Sequence, residues 1–328
     1  MTSAQQNTIE LYQTMMRVNA SGHLMRAARE LGLLEDLGDG QRTLEDLCQS
    51  RFLNAETTAL LLNALVALGV VEKYGDDYAL SQAARLLCAY DQDLGDVVWA
   101  DLVKTADGNR PREQIDERLH RSREAATQWV HTPAAMQAAE VLDVGGEGMS
   151  GLEIVELGTG SGVWSAAMAY RDPESRVLAV DHEDALEAAR HTAESIGVLD
   201  RFVTRSDDPT EVRLDDDSAD LVLLPIRLHQ CDDEEAVRQL GRAVDIVKPG
   251  GRVVVIDLFR GPNQPTLAES VAALRLHLGT CGGRVRTLDE SKSLLRSAGL
   301  EDIQFTFLAA DRSGLGLAVG RKPKPNAE

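Results

Sequence analysis

The stretch Val155-Glu-Leu-Gly-Thr-Gly-Ser-Gly162 decides how the C-terminal part of this sequence folds. An apolar run, Ile154–Leu157, leads into glycines at 158, 160 and 162, and a second apolar-rich run, Val163–Tyr170, follows them. The order reads as strand, tight turn, helix. Glycine is needed where the backbone turns into positive φ and where no Cβ may stand between main chain and a ligand. A dinucleotide fingerprint spaces its glycines G-x-G-x-x-G. The last place of that pattern is Val163 here, so the turn departs from it. Taken alone, the stretch leaves open a glycine turn that serves structure only.

Downstream, strands and helices alternate. Arg176–Val180 reads as a strand closed by Asp181, and Ala185–Ile196 as a helix. Strands are expected at Arg201–Thr204, Leu221–Leu224, Arg252–Leu258, Ile303–Leu308 and Gly314–Gly320, with helices at Glu234–Val247 and Asp289–Ala298. Repeated βα units predict a doubly wound, mostly parallel sheet in an α/β domain. Ligands of such sheets lie beyond the carboxyl ends of the strands, at the switch in strand order. Asp181, 23 residues after Gly158, can there accept both hydroxyls of a ribose, which indicates a nucleoside without saying which. Asp207, after the third strand, can receive a donor from a base, although an Asp in a loop is ordinary. Glu156 sits inside an apolar strand and needs a partner, a ligand ammonium being one candidate.

The N-terminal third reads differently. Leu24, Ala27, Ala28, Leu31 and Leu34 recur at helical spacing until Gly38-Asp-Gly40 ends the run. Thr43-Leu-Glu-Asp46 has the form of a capping box with Asp for Glu, and Asn54 caps a helix with Leu60, Leu61, Leu65 and Leu68 on its apolar face. Val70–Tyr74 and Tyr78–Leu80 then flank a Gly75-Asp-Asp77 turn. This is a winged-helix order. The segment in the place of a recognition helix, Ala55–Gly69, has no Lys or Arg, whereas a groove-reading helix needs donors for bases and phosphates. The charged stretch 106–130 reads as a connector.

The 328 residues carry 53 acidic and 34 basic side chains, a formal charge of −19. Such a surface disfavours phosphate backbones and so a nucleic-acid partner, and simple solubility accounts for it equally well. Cys48, Cys88, Cys231 and Cys281 show no zinc spacing, so no metal is expected, and free thiols in the cytoplasm are the expectation. The N-terminus lacks a signal-peptide pattern and no apolar run reaches a membrane-spanning length, so no membrane partner is expected.

VELGTGSG, VLAVDHEDALEAAR and ADLVLLPIRLHQCDDEEAVRQLGRAVDIVKPGGRVVVIDLF together resemble the class I S-adenosylmethionine-dependent O-methyltransferases. The resemblance is to the small-molecule group with an N-terminal winged-helix dimerisation domain, and it runs from about residue 15 to 320. It implies a seven-stranded Rossmann-like methyltransferase sheet preceded by an α-helical winged-helix-like domain. The divisions expected are a dimerisation domain over 1–105, a connector with a substrate-facing helix over 106–148, and a cofactor-binding catalytic domain over 149–328. It implies S-adenosylmethionine as cofactor, held by Glu156, Gly158, Gly160, Gly162, Asp181 and Asp207; a homodimer is expected because the apolar N-terminal helices exceed what a domain of about 100 residues can bury alone. The family's catalytic histidine falls on His229 and its orienting acid on Asp257, at the ends of strands expected to be neighbours. Their role would be to take the proton of a substrate hydroxyl as it attacks the methyl group. Trp129 and Met136, with Met149, are candidates for the substrate side, while Trp164 reads as core or cofactor-flanking.

Several positions depart from the family pattern. The Asp and Trp after the histidine are Gln230 and Cys231, a lysine of plant members is Pro225, a second acid is Val285, and Gly-Asp-Phe is Ser206-Asp-Asp208. Cofactor binding tolerates these changes more easily than acid–base chemistry does. Alternatives to O-methylation are therefore N- or C-methylation, a non-methylating reaction on the same fold, or a protein that binds the cofactor without catalysis.

Overall fold

The computed structural model describes residues 3–90, 96–108, 127–311 and 313–325. The chain divides into two compact units, Met1–Trp99 and Ala100–Glu328. The expected connector over 106–130 lies mostly outside the described residues.

The first unit opens with α1 (Ser3–Glu30) and α2 (Leu33–Asp39). The single helical run expected there is broken at Gly32, whose φ of 74° is left-handed. After β1 (Arg42–Thr43) come α3 (Leu44–Arg51) and α4 (Ala55–Ala67). The capping box on α3 is formed, with Asp46 N–H donating to Thr43 Oγ1 (3.1 Å) and Thr43 N–H to Asp46 Oδ2 (3.2 Å). Asn54 Oδ1 likewise accepts from Thr57 N–H at 2.9 Å. Strands β2 (Val71–Tyr74) and β3 (Asp77–Leu80) pair antiparallel with Tyr74 opposite Asp77, so the hairpin turn is two residues, Gly75-Asp76, and not three. Gly75, at φ 64°, fills the first central position, where such a turn needs positive φ. The two-residue β1 was not expected, being too short to show periodicity; it completes a sheet of order β1-β3-β2. Leu33, Leu37, Leu47, Leu62 and Leu65 form the core of this unit. Helix α5 (Gln82–Tyr90) follows, and α6 (Asp96–Ala106) crosses into the second unit.

The second unit is the α/β domain expected from the sequence. Its elements are α7 (Thr132–Val141), β4 (Glu153–Leu157), α8 (Val163–Arg171), β5 (Arg176–Asp181), α9 (Glu183–Ser195), β6 (Phe202–Ser206), β7 (Ala219–Pro225), α10 (Asp233–Ile246), β8 (Val247–Arg260), α11 (Leu267–Gly279), β9 (Arg286–Thr287), α12 (Leu288–Ser297), β10 (Glu301–Phe307) and β11 (Leu315–Arg321). The strand order is β10-β11-β8-β7-β4-β5-β6, a path of seven, with the short β9 pairing to β8 as an eighth. Strands β6, β5, β4, β7 and β8 run parallel, and β11 is antiparallel to β8 and β10. The order switches between β4 and β7, which places a ligand crevice beyond Leu157 and Pro225.

Alternation along each strand separates two cores. Ile154, Val177, Leu221, Leu223, Val254 and Ile256 pack with Trp164 and the alanines of α7, α8 and α9. Val155, Leu157, Val222, Leu224, Val253 and Val255 pack with Leu240, Ala243 and Leu295 of α10 and α12. This is the layering that period-two strands buried on both faces require. No helix among the described residues is long and apolar enough to cross a membrane.

Candidate active site

Three glycines with positive φ, Gly158 (78°), Gly160 (55°) and Gly162 (68°), make the turn from β4 into α8. Hydrogen bonds to the neighbouring strand fix it. Gly158 N–H donates to Val180 O at 2.9 Å, and Gly160 N–H to Asp181 Oδ2 at 2.8 Å. The other Asp181 oxygen accepts from His182 N–H at 2.8 Å. Each oxygen keeps a lone pair for a further donor, so Asp181 both ties the turn and stays able to receive hydroxyls. Asp207 N–H donates to Asp181 O at 3.1 Å, which brings the third expected acid alongside. Asp207 is partly exposed and pairs with Arg205 at 3.0 Å. Next to it, burial pushes the Asp208 carboxyl up, but hydrogen bonds from Thr210 outweigh this and hold it below its ordinary value.

The glycines do different things. A Cβ on Gly162 would stand 3.0 Å from Ala189 Cβ and 3.1 Å from Phe202 Cζ, so Gly162 is needed for packing of α8 against α9 and β6. A Cβ on Gly158 or Gly160 would meet only polar side chains, Arg227 and Gln128 respectively. At these two positions the main chain carries no Cβ, and the flexible side chains of Arg227 and Gln128 lie over it. Gln128, 5% exposed, accepts from Ser161 N–H at 3.1 Å.

Glu156 is 0% exposed. Its carboxyl accepts from Ser165 Oγ–H (2.5 Å) and Ser165 N–H (3.3 Å) at the start of α8. Burial pushes its pKa up to about 8, and the Ser165 bonds pull the other way. The structure thus gives Glu156 a protein partner beneath the turn, Ser165, beside the ligand ammonium that the sequence offers as one candidate. The apolar strand hid that partner, because Ser165 lies nine residues on, one helical turn past the glycines.

His229 lies in a 3-10 turn, Leu228–Gln230, just past β7, and Asp257 lies on the neighbouring β8. His229 Nδ1 is 2.5 Å from Asp257 Oδ1, and His229 N–H donates to Asp257 Oδ2 at 2.9 Å. Both residues are 3% exposed. The two-point contact fixes backbone and ring together. A carboxylate on Nδ1 leaves Nε2 as the nitrogen that can exchange a proton.

Arg286 holds the same turn from beneath, a role that the sequence did not assign to it. Its guanidinium donates to Leu228 O, to Cys231 O at 2.9 Å and to Asp233 Oδ1 at 2.9 Å. Arg284 N–H donates to His229 O at 2.8 Å. Burial raises the Cys231 thiol to about 12, so it stays protonated and is no nucleophile near neutrality. Trp164 and Met149 pack in the core, whereas Trp129 and Met136 are each 36% exposed. A second His–Asp contact, His131 Nδ1 to Asp311 Oδ2 at 3.0 Å, adjoins the turn, with the His131 ring stacked on Trp164.

A cleft of about 400 Å³ opens at the carboxyl ends of the strands, lined in part by His182, Asp208, Thr210, Arg227 and Gln230. A larger cleft of about 610 Å³, beside Arg252 and Arg321, lies at the start of β8, away from these groups. Among the described residues no group of His, Cys, Asp and Glu is placed to hold a metal ion. The glycine turn, the paired hydroxyl acceptor of Asp181 and the neighbouring acids suit a nucleoside with an amino-acid tail.

Residues 154–251 match a family described as a methyltransferase domain. The chain is 35% identical over 152 residues to aclacinomycin 10-hydroxylase RdmB of Streptomyces purpurascens, a match spanning 45% of this chain and 39% of that one. It is 27% identical over 304 residues to the mitomycin biosynthesis 6-O-methyltransferase of Streptomyces lavendulae, covering 84% of each. The solved structure of the mitomycin 7-O-methyltransferase MmcR shares the fold, with a TM-score of 0.72 at 24% identity over 98% of this chain and 99% of that one.

Proposed function

We propose that the chain is a class I S-adenosylmethionine-dependent methyltransferase of small molecules, a reading supported by the methyltransferase-domain match and by its similarity to the mitomycin enzymes, and that it methylates a hydroxyl of an aromatic or polyketide-like molecule, with His229 as general base oriented by Asp257. The cofactor is S-adenosylmethionine. The observation that carries the proposal is the double contact of Asp257 with His229, at 2.5 Å to the ring and 2.9 Å to the backbone.

When bound, the cofactor supplies an electrophilic methyl group on a sulfonium. The chain's own residues do the rest. Gly158 and Gly160 admit the ligand to the main chain, and Asp181 and Asp207 take the ribose and the base. His229 Nε2 accepts the hydroxyl proton while Asp257 stabilises the imidazolium, a contribution of about 10²- to 10⁴-fold. Holding the oxygen in line with the methyl group supplies much of the remaining acceleration. Trp129 and Met136, both partly exposed, are the proposed substrate contacts.

The N-terminal unit is proposed to be a winged-helix-like dimerisation module over 1–105, joined by a connector over 106–148 to the catalytic domain over 149–328. Its element order supports this, as does α1, where Ile9, Leu11, Tyr12, Met15, Met16 and Val18 are all exposed. The absence of Lys and Arg from α4 supports a partner other than nucleic acid. Free thiols at all four cysteines support a cytoplasmic location.

A second reading, a non-methylating reaction on the same fold, is favoured by the 35% identity to a hydroxylase and by Val285 in place of an acid. Transfer of labelled methyl from the cofactor to a panel of phenols, by wild type and His229→Ala, tests both. Transfer that falls in the variant supports the base. Undiminished transfer removes His229, and consumption of phenol without label favours the second reading.

A further inference from the structure

Most cations at the carboxyl end of the sheet already hold an acid. Arg205 pairs with Asp207 at 3.0 Å, Arg190 with Glu183 at 3.0 Å, Arg284 with Asp233 at 2.9 Å and Arg286 with Asp233 at 2.8 Å. Arg227 differs. It is partly buried, and its guanidinium makes no hydrogen bond or ion pair with any described residue. The side chain lies across the cofactor turn, with Nε 2.8 Å and Cγ 3.0 Å from where a Cβ on Gly158 would stand. A partly desolvated cation without a partner is a cost that a ligand anion would remove.

The backbone before it is strained toward this placement. Ile226 is buried and β-branched, yet has φ 55°, a conformation costing about 1–3 kcal/mol that persists where surrounding structure enforces it. Its N–H donates to Ile256 O at 2.6 Å, so the chain leaves the β7–β8 ladder and turns sharply at this residue. This sharp bend delivers Arg227 to the glycine turn. Asp208 feels its charge, but that carboxyl is engaged by Thr210 N–H at 2.8 Å and Thr210 Oγ–H at 2.7 Å.

We propose that Arg227 binds the carboxylate at the amino-acid end of the cofactor. That carboxylate is the one anionic group S-adenosylmethionine carries, and a guanidinium meets a carboxylate with two parallel donors. Gln128, which lies over Gly160, is neutral and already accepts from Ser161 N–H. It can orient the tail but cannot balance its charge. The proposal rests on the cofactor assignment and is independent of the His229 base.

Calorimetric binding of two ligands tests it without turnover. S-adenosylmethionine is compared with its decarboxylated form, which keeps the sulfonium, the adenosine and the amine. Wild type should bind the decarboxylated form about 10- to 100-fold more weakly, the range for a charged hydrogen-bonded contact. Arg227→Met should bind S-adenosylmethionine with a similar loss and discriminate the two ligands by less than about threefold, while Arg227→Lys, which keeps the charge, should retain part of the discrimination. Discrimination in Arg227→Met equal to wild type overturns the proposal, as does a wild type that binds both ligands alike. Either result leaves the His229 reading standing. Thermal melts of the free proteins show that a loss of affinity is not a loss of fold.

Discussion

Asp257 grips His229 at two points with one carboxylate, Oδ1 on the ring Nδ1 at 2.5 Å and Oδ2 on the backbone N–H at 2.9 Å. An asparagine there could still accept from the backbone N–H. Its amide hydrogens would then face Nδ1, driving the ring proton to Nε2 and closing the nitrogen proposed to act as base. Asp257→Asn is therefore expected to lower kcat by about 10²- to 10⁴-fold and to leave S-adenosylhomocysteine affinity unchanged. Steady-state rates with calorimetry check this, and an unaltered kcat would remove Asp257 from the mechanism.

Glu156 predicts a pH dependence of stability. Its pKa in the folded protein is about 8, against an ordinary 4.5, because burial disfavours the charge. Between these values the unfolded chain has lost the proton while the folded chain keeps it, so stability falls as pH rises and levels off above about 8. Glu156→Gln removes this slope. Its Tm relative to wild type should rise steadily from pH 5 to pH 8. A Tm difference independent of pH would show that Glu156 is already ionised in the fold.

Gly162 and Gly158 should respond differently to alanine. Both carry positive φ, but the new methyl at Gly162 meets the Ala189 backbone at 3.2 Å and the Phe202 ring at 3.1 Å, which cannot yield. At Gly158 it meets only the flexible Arg227 side chain. Gly162→Ala should lose stability by about 1–3 kcal/mol more than Gly158→Ala, read from urea midpoints. Gly158→Ala should lose mainly cofactor affinity. Equal urea midpoints would mean that Gly162 is not held by packing.

The exposed residues of α1 predict assembly. Tyr12 is 63% and Met15 60% exposed, large apolar groups that water would not favour on a lone helix. Light scattering should give a dimer for wild type and a monomer for Tyr12→Glu combined with Met15→Glu. A wild-type monomer at micromolar concentration would refute dimerisation through this helix.

Much of this protein was determined by local sequence. Hydrophobic period, three glycines and the caps at Thr43 and Asn54 specify elements through interactions a few residues apart, and the alternation of strand and helix then allows few topologies. The placement of Asp181 at the end of the strand after the glycine turn was legible for the same reason, and the fold adds its bond to Gly160 N–H. What the sequence could not determine were contacts set by which faces meet. Glu156 meets Ser165 at the start of the next helix, because a residue's side of a strand is fixed by register. Arg286, 57 residues from His229, grips the carbonyls on either side of it only once β9 has paired with β8. No local pattern sets Arg227 apart from other charges in the sequence. Only the fold shows it on the glycine turn with no partner among the described residues, because burial and partners are properties of packed neighbours and not of sequence position.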